Sequence, residues 1–215
     1  MTGQEQRRAK YDRGASDHVE RFADPGAIVS SYLRLLGSWG TPVPPGAAVL
    51  ELGCADGFVT VALARAGYRV TAIDLSPRMV DVAHERLERE GLHADLLVGD
   101  IHEIDLPVSQ SAVLGLMRSF FSYVDDPSGV LRRLVVAAPK VLVDADPRQV
   151  QLRDCEGAMR SAGFGHVSRR AMFVPMRYRM SPPVRGLFRA AELTPGVRGL
   201  ILRRKFLVAL KGERV

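Results

Sequence analysis

Two hydrophobic periods alternate along this chain. The short apolar runs Val49 to Leu52, Tyr68 to Ile73, Ala94 to Val98, Ala112 to Leu116 and Lys140 to Val143 have the length and residue types of strands, and the first three run into Gly or Asp. Between them the apolar positions shift to helical spacing. The clearest case begins at Ser76, a good N-cap, followed by Pro77 as a first helical residue. Met79, Val80, Ala83 and Leu87 then fall on one face, and Gly91 closes the helix. Further helices are expected from about Phe58, after Pro127, and over Leu152 to Ala162 ahead of Gly163. Strand following helix repeatedly requires right-handed crossovers. The expected fold class is therefore α/β, a Rossmann-like, doubly wound and mostly parallel sheet with helices on both faces.

The ends of the chain depart from this alternation. A helical region from about Glu5 to Trp39, interrupted near Asp24-Pro25-Gly26, precedes a joint rich in proline (Pro42, Pro44, Pro45, Gly46), and reads as a lid. After Gly163 a strand is expected near Val167 to Val174, then an insertion over 176–204, then a last strand from Lys205 to Leu210. Inside the insertion Val184, Leu187, Phe188 and Ala191 share a helical face flanked by Arg185 and Arg189. That face is expected to pack on the domain. A cap over an apolar substrate, peripheral membrane contact and a dimer interface stay open for it. The organisation is thus one domain over 1–215, with an N-terminal lid (1–45), a core (46–165) and C-terminal strands (166–215).

Composition changes this picture little. At 215 residues, with 47% apolar and 25% charged residues, the chain suits one seven-stranded unit of a soluble globular protein. No stretch is long and apolar enough to span a bilayer, and Met1 to Lys10 is polar and charged, unlike a signal peptide, so a cytoplasmic location is expected. Cys54 and Cys155 are the only cysteines. They support neither a disulfide framework nor a metal cluster, and no metal is expected. The net charge of +6 comes largely from the last third, including Arg169, Arg170, Arg177, Arg179, Arg203, Arg204 and Lys205. A nucleic-acid partner is compatible with that bias. Few aromatics are interleaved with the basic residues, however, and no RNA-binding module is appended, so such a partner is disfavoured without being excluded.

Candidate chemistry concentrates where the first strand ends. In Gly53-Cys54-Ala55-Asp56-Gly57 small residues allow bare backbone to approach a ligand, and Asp56 is placed to cap the helix that follows. Asp74 ends the second strand, and its two acceptor oxygens suit a ribose diol. Asp100, after Gly99, brings a second acid to the same edge. A dinucleotide fingerprint would need a third glycine where Phe58 stands, which argues against a nicotinamide-dependent oxidoreductase.

These residues resemble the class I S-adenosylmethionine-dependent methyltransferases. Glu51, Gly53, Ala55 and Gly57 match the family's first motif, with Ala at the middle glycine. The resemblance continues through Ala72-Ile73-Asp74-Leu75-Ser76, Val98-Gly99-Asp100-Ile101 and Tyr123-Val124-Asp125-Asp126-Pro127, and covers roughly residues 45 to 165. It implies a mostly parallel seven-stranded sheet with an antiparallel last strand, and S-adenosyl-L-methionine as cofactor with S-adenosyl-L-homocysteine as product. Glu51 and the backbone of Gly53, Cys54, Ala55 and Gly57 would lie by the methionine part. Asp74 would hold the ribose hydroxyls, Asp100 would accept from the adenine amine, and Leu75 and Ile101 would sandwich the ring. Met79 either packs in the core or touches adenine. Tyr11 resembles a tyrosine of the lid that covers the cofactor. Met117, Arg118 and Ser119, at the end of the fourth strand, would face cofactor and substrate. Arg118 departs from the small polar residue common there and suits a carboxylate or phosphate.

A sulfonium makes its methyl carbon electrophilic, so the protein must chiefly exclude water and align a nucleophile. A base is needed only where the acceptor loses a proton, and His18 is the weak candidate. The reading is methyl transfer to an O, N or C nucleophile of a small molecule, metabolite or lipid-like, by a monomer or homodimer. An RNA or protein methyltransferase and a non-catalytic binding protein on the same fold are the alternatives.

Overall fold

The computed structural model describes residues 3–13, 15, 24–37, 41–115, 120–172, 181, 183, 186 and 207–214. In chain order the elements are α1 (Gly3–Arg13), α2 (Pro25–Leu36), β1 (Ala48–Leu52), α3 (Phe58–Arg65), β2 (Arg69–Asp74), α4 (Pro77–Arg89), β3 (Asp95–Val98), β4 (Ala112–Gly115), α5 (Phe120–Tyr123), α6 (Pro127–Ala137), β5 (Lys140–Ala145), α7 (Leu152–Ser161), β6 (His166–Met172) and β7 (Leu207–Glu213). Three helices start by one recipe, a polar N-cap followed by proline. Asp24 Oδ1 accepts from Ala27 N–H at 3.0 Å, Ser76 Oγ from Met79 N–H at 3.1 Å and Asp126 Oδ1 from Gly129 N–H at 2.8 Å. In each case the side chain satisfies a donor that the first turn leaves open, and the proline lacks an N–H the helix would not use.

The strands form one seven-stranded sheet in the order β3-β2-β1-β4-β5-β7-β6. Strands β1 to β5 pair in parallel, and β7 runs antiparallel to both β5 and β6. Of the two C-terminal strands only β7 is reversed. β6 points the same way as β5, because each lies antiparallel to the strand between them. The last strand also runs on to Glu213, beyond its expected end at Leu210. The polar run Lys211-Gly212-Glu213 reads locally as an exit from the sheet, yet it pairs with Leu142, Val141 and Lys140 of β5. Gly212 is needed there: a Cβ would stand 2.8 Å from Met159 Cε and 2.9 Å from Phe164 Cγ.

Alternation along the central strands feeds two apolar layers. Leu50, Leu52, Val113, Val141 and Val143 face a core closed by α5, α6 and α7 through Phe120, Leu131, Leu134 and Met159. Val49, Val70, Ala112, Leu114 and Leu142 face the other, closed by α2 and α3 through Ile28, Leu36, Val59 and Leu63. Burial on both faces explains why these strands read as continuous apolar runs. The carboxyl ends of β1, β2 and β3 therefore meet at one edge of a rigid slab. Among the described residues no helix is long and apolar enough to cross a membrane. The insertion face of Val184, Leu187, Phe188 and Ala191 lies outside the described residues, as do its Arg185 and Arg189, and Arg177, Arg179, Arg203, Arg204 and Lys205.

Candidate functional site

The loop after β1 reverses hand three times in five residues, with φ of +68° at Gly53, +49° at Ala55 and +74° at Gly57. Left-handed backbone is free for glycine and costs an alanine about 1 kcal/mol or more, so Ala55 is held there by its surroundings. The restraint is visible: Ala55 N–H donates to Asp74 Oδ2 at 2.8 Å. Gly53 N–H and Cys54 N–H both donate to the Ile73 carbonyl, at 2.8 and 3.1 Å. The loop is thus fastened to the end of β2. A Cβ on Gly57 would come within 2.6 Å of Ala83 Cβ, so glycine also lets α3 and α4 close on each other.

Asp56 does not cap α3. The residue before the helix is Gly57, in left-handed conformation with no side-chain bond. The Asp56 carboxylate, 1% exposed, instead receives Arg86 Nη2 of α4 at 2.8 Å, while Arg86 Nε binds the Asp56 carbonyl at 3.0 Å. One guanidinium N–H takes the buried carboxylate and a second takes the carbonyl of the same residue, a charge-assisted grip stronger than a single helical N–H.

Glu51 points into the layer beneath the loop and is 6% exposed. Thr60 Oγ donates to its Oε2 at 2.7 Å. Burial pushes this carboxyl up to about 8, and the neighbouring charges of Asp74 and Asp56 push the same way against the Thr60 bond. Burial likewise drives the Cys54 thiol well up, which leaves it a packing residue and not a nucleophile. Three acids thus surround one loop, with Arg86 assigned to Asp56.

Asp74 and Asp100 stand at neighbouring strand ends, as Gly99 N–H donates to the Asp74 carbonyl at 2.9 Å. Besides Ala55, Asp74 receives Ser76 N–H on Oδ1 at 2.9 Å. Asp100 receives His102 N–H on Oδ1 at 2.8 Å, with His102 Nδ1 at 2.5 Å from the same oxygen. Leu75 and Ile101, next in sequence to the two acids, are half-buried. Met79 is 1% exposed and lies among the buried residues of α4, a core position. Tyr11 is half-buried on α1, and α1 is tied to this edge by its neighbour: Ser76 Oγ donates to Asp12 Oδ1 at 2.5 Å. His18, Met117, Arg118 and Ser119 lie outside the described residues.

Four contributors escaped the sequence reading. Arg86, Thr60, Asp12 and His102 are defined by contacts across 30, 9, 64 and 2 residues. Only His102 was near enough to its partner to be suspected, and its signal was that it follows Asp100 by two positions. The other described histidines are remote from this chemistry. His84 and His93 are 63% and 92% exposed on carboxylates of their own surroundings, and His166 is exposed on β6. Among the described residues no group of three or more His, Cys, Asp or Glu is arranged for a metal.

A family model described as a methyltransferase domain matches residues 49–155. Over 89 residues the chain is 33% identical to the ubiquinone biosynthesis O-methyltransferase of Xanthomonas axonopodis pv. citri, covering 41% of this chain and 37% of that protein. Its counterpart in Xanthomonas campestris pv. campestris is 36% identical over 90 residues, with the same coverage of 41% and 37%. The match spans little more than a third of the length of these relatives. Two solved structures share the fold. Magnesium protoporphyrin IX methyltransferase from Synechocystis, determined with bound S-adenosylmethionine, gives a TM-score of 0.69 at 17% identity over 100% of this chain and 98% of that one. A SAM-dependent methyltransferase from Aquifex aeolicus gives 0.62 at 18% identity, over 96% and 98%.

Proposed function

The chain belongs to the class I S-adenosylmethionine-dependent methyltransferases, and on that premise we propose that it transfers a methyl group from this cofactor to an O, N or C nucleophile of a small molecule. The observation that carries the reading is the pair of acids at adjacent strand tips, Asp74 and Asp100, each oriented by N–H donors beside a left-handed loop. Asp74 takes the ribose hydroxyls, Asp100 the adenine amine, and Leu75 and Ile101 the faces of the ring. The backbone from Gly53 to Gly57 supports the methionine part above Glu51. When bound, the cofactor supplies an electrophilic methyl group on a cationic sulfur. The carboxylate of Asp74, bonded to the loop at Ala55, favours that charge. The slab beneath excludes water, and orientation carries most of the acceleration.

The O-methyltransferase relatives favour an oxygen acceptor and a small molecule. One basic residue of the C-terminal strands favours the same choice. Arg169 is engaged by Glu156 at 2.5 and 2.8 Å, and so is drawn away from a nucleic-acid face. We place Arg118 and Ser119 at the acceptor, His18 and Tyr11 on the N-terminal lid, and the whole within one domain over 1–215. The Asp12–Ser76 bond supports the docking of α1 as part of that lid.

Calorimetry with S-adenosylmethionine, S-adenosylhomocysteine and NAD tests the cofactor. The first two should bind and the third should not. Asp74→Ala should weaken binding on the order of a hundredfold, since it removes a charged acceptor for two hydroxyls and frees the loop from β2. Unchanged affinity would remove the ribose role. Acceptor screening by transfer of labelled methyl to phenols, hydroxy acids, amines and RNA then separates the substrate classes, and label appearing in RNA alone would overturn the small-molecule reading.

A further inference from the structure

The segment after β3 is built more tightly than a ligand-binding turn requires. Gly99 has no room for a side chain, since a Cβ would stand 2.6 Å from Ile104 Cδ1. Ile104 N–H and Glu103 N–H close back onto the Asp100 carbonyl at 2.8 and 3.0 Å. From outside, Arg133 of α6 donates to the carbonyls of both Ile101 and Ile104. The backbone around Asp100 is therefore fixed by its own turn and by a clamp from the next helix.

The imidazole of His102 extends that control to the Asp100 side chain. Its Nδ1 lies 2.5 Å from Asp100 Oδ1, the oxygen that also accepts the His102 backbone N–H at 2.8 Å. The other ring nitrogen, Nε2, faces Asp126 N–H at the start of α6, 3.5 Å away. A carboxylate oxygen can only accept, so Nδ1 carries a proton and gives it to Asp100. The side chains of His102 and Asp100 are 28% and 15% exposed, which limits competition from water. Two donors on one oxygen oppose rotation of the carboxylate about its terminal torsion, which is otherwise soft.

We infer that His102 is a positioning residue which fixes the Asp100 carboxylate against the purine edge and thereby sets the preference for adenine over hypoxanthine. The inference rests on the proposed adenine role of Asp100. Adenine offers an exocyclic amine to this acceptor. Hypoxanthine offers an oxygen at that place and a donor at the adjacent ring nitrogen. A carboxylate able to swing would follow the displaced donor, whereas one held by His102 meets the oxygen and repels it.

The test is calorimetric titration of S-adenosylhomocysteine and S-inosylhomocysteine into the wild type and three variants. The wild type should prefer the adenosyl ligand on the order of a hundredfold. His102→Ala and His102→Gln should each reduce that ratio about tenfold, the equivalent of one charge-assisted bond. Glutamine puts its amide near the Nε2 position and leaves Asp100 without the side-chain donor. His102→Asn keeps a donor near the Nδ1 position and should stay within about threefold of wild type. An unchanged ratio in His102→Ala, equal weakening of both ligands, or a wild type that binds both alike would overturn the inference while leaving the cofactor assignment intact. A wild type that fails to bind S-adenosylhomocysteine would instead overturn the cofactor reading itself.

Discussion

The two wings of the sheet use their acids differently. On the β1-β2-β3 side, Asp74 is oriented by the backbone N–H groups of Ala55 and Ser76, and Asp100 by the backbone N–H and ring Nδ1 of His102. On the β5-β7-β6 side, Asp146 takes Arg148 through Nε and Nη2, and Glu156 takes Arg169 in the same forked manner. Those guanidinium partners hold both carboxyls below the ordinary carboxylate range. A carboxylate closed by a guanidinium fork is committed to the fold, while the two acids at the β1-β2-β3 edge are oriented by donors of neighbouring loops. Asp56, in the loop after β1, also meets a guanidinium, but Arg86 gives one N–H to its carboxylate and the other to its carbonyl.

The contrast can be broken first at Gly57. Gly57→Ala forces left-handed backbone on a residue whose Cβ meets Ala83, and should cost about 2 to 5 kcal/mol in denaturant unfolding. Stability within experimental error of wild type would show that α4 yields freely and that the loop is not rigid. Arg86→Ala should cost about 2 to 4 kcal/mol, because Asp56 stays buried without its charged partner.

Glu51→Gln sharpens the comparison through pH. Glu51 has an ordinary value of 4.5 and a folded value near 8, so its contribution to stability is fully present below 4.5 and lost as pH rises through about 8. Melting temperatures of the two ligand-free proteins should therefore converge in acid. Above about pH 8 the glutamine variant should melt a few degrees higher, roughly 1 to 2 kcal/mol. Parallel pH profiles would mean that folding does not raise the Glu51 carboxyl. The smallest effect is expected for Arg148→Ala. Its guanidinium is 63% exposed, and its loss should cost less than about 1 kcal/mol by thermal unfolding, although it grips the Asp146 carboxylate with two nitrogens where Arg86 gives Asp56 only one.

Most of the scaffold and part of the site were legible in the chain. The recipe of N-cap and proline placed α4 to within a residue or two. Gly53, Asp74 and Asp100 could be read because a strand period delivers each of them to the same edge. The end of β7 was not legible, since Lys211 looks like a surface residue. In the fold it is 4% exposed, and burial beside Arg170 lowers its ammonium to about 8. Asp56 was misassigned for a related reason: a local helix N–H is visible in sequence, and an arginine thirty residues away is not.

What the sequence determined by itself is whatever depends on short separations: the alternation of periods, the caps, the left-handed glycines and the order in which acids reach the sheet edge. The tertiary structure decided the distant partners of the acids. Ala55 N–H went to Asp74, Arg86 to Asp56 and Ser76 to Asp12, across 19, 30 and 64 residues. The physical reason is that a carboxylate carries the same charge and acceptors wherever it stands, and only the approach of another element selects the donor that it meets.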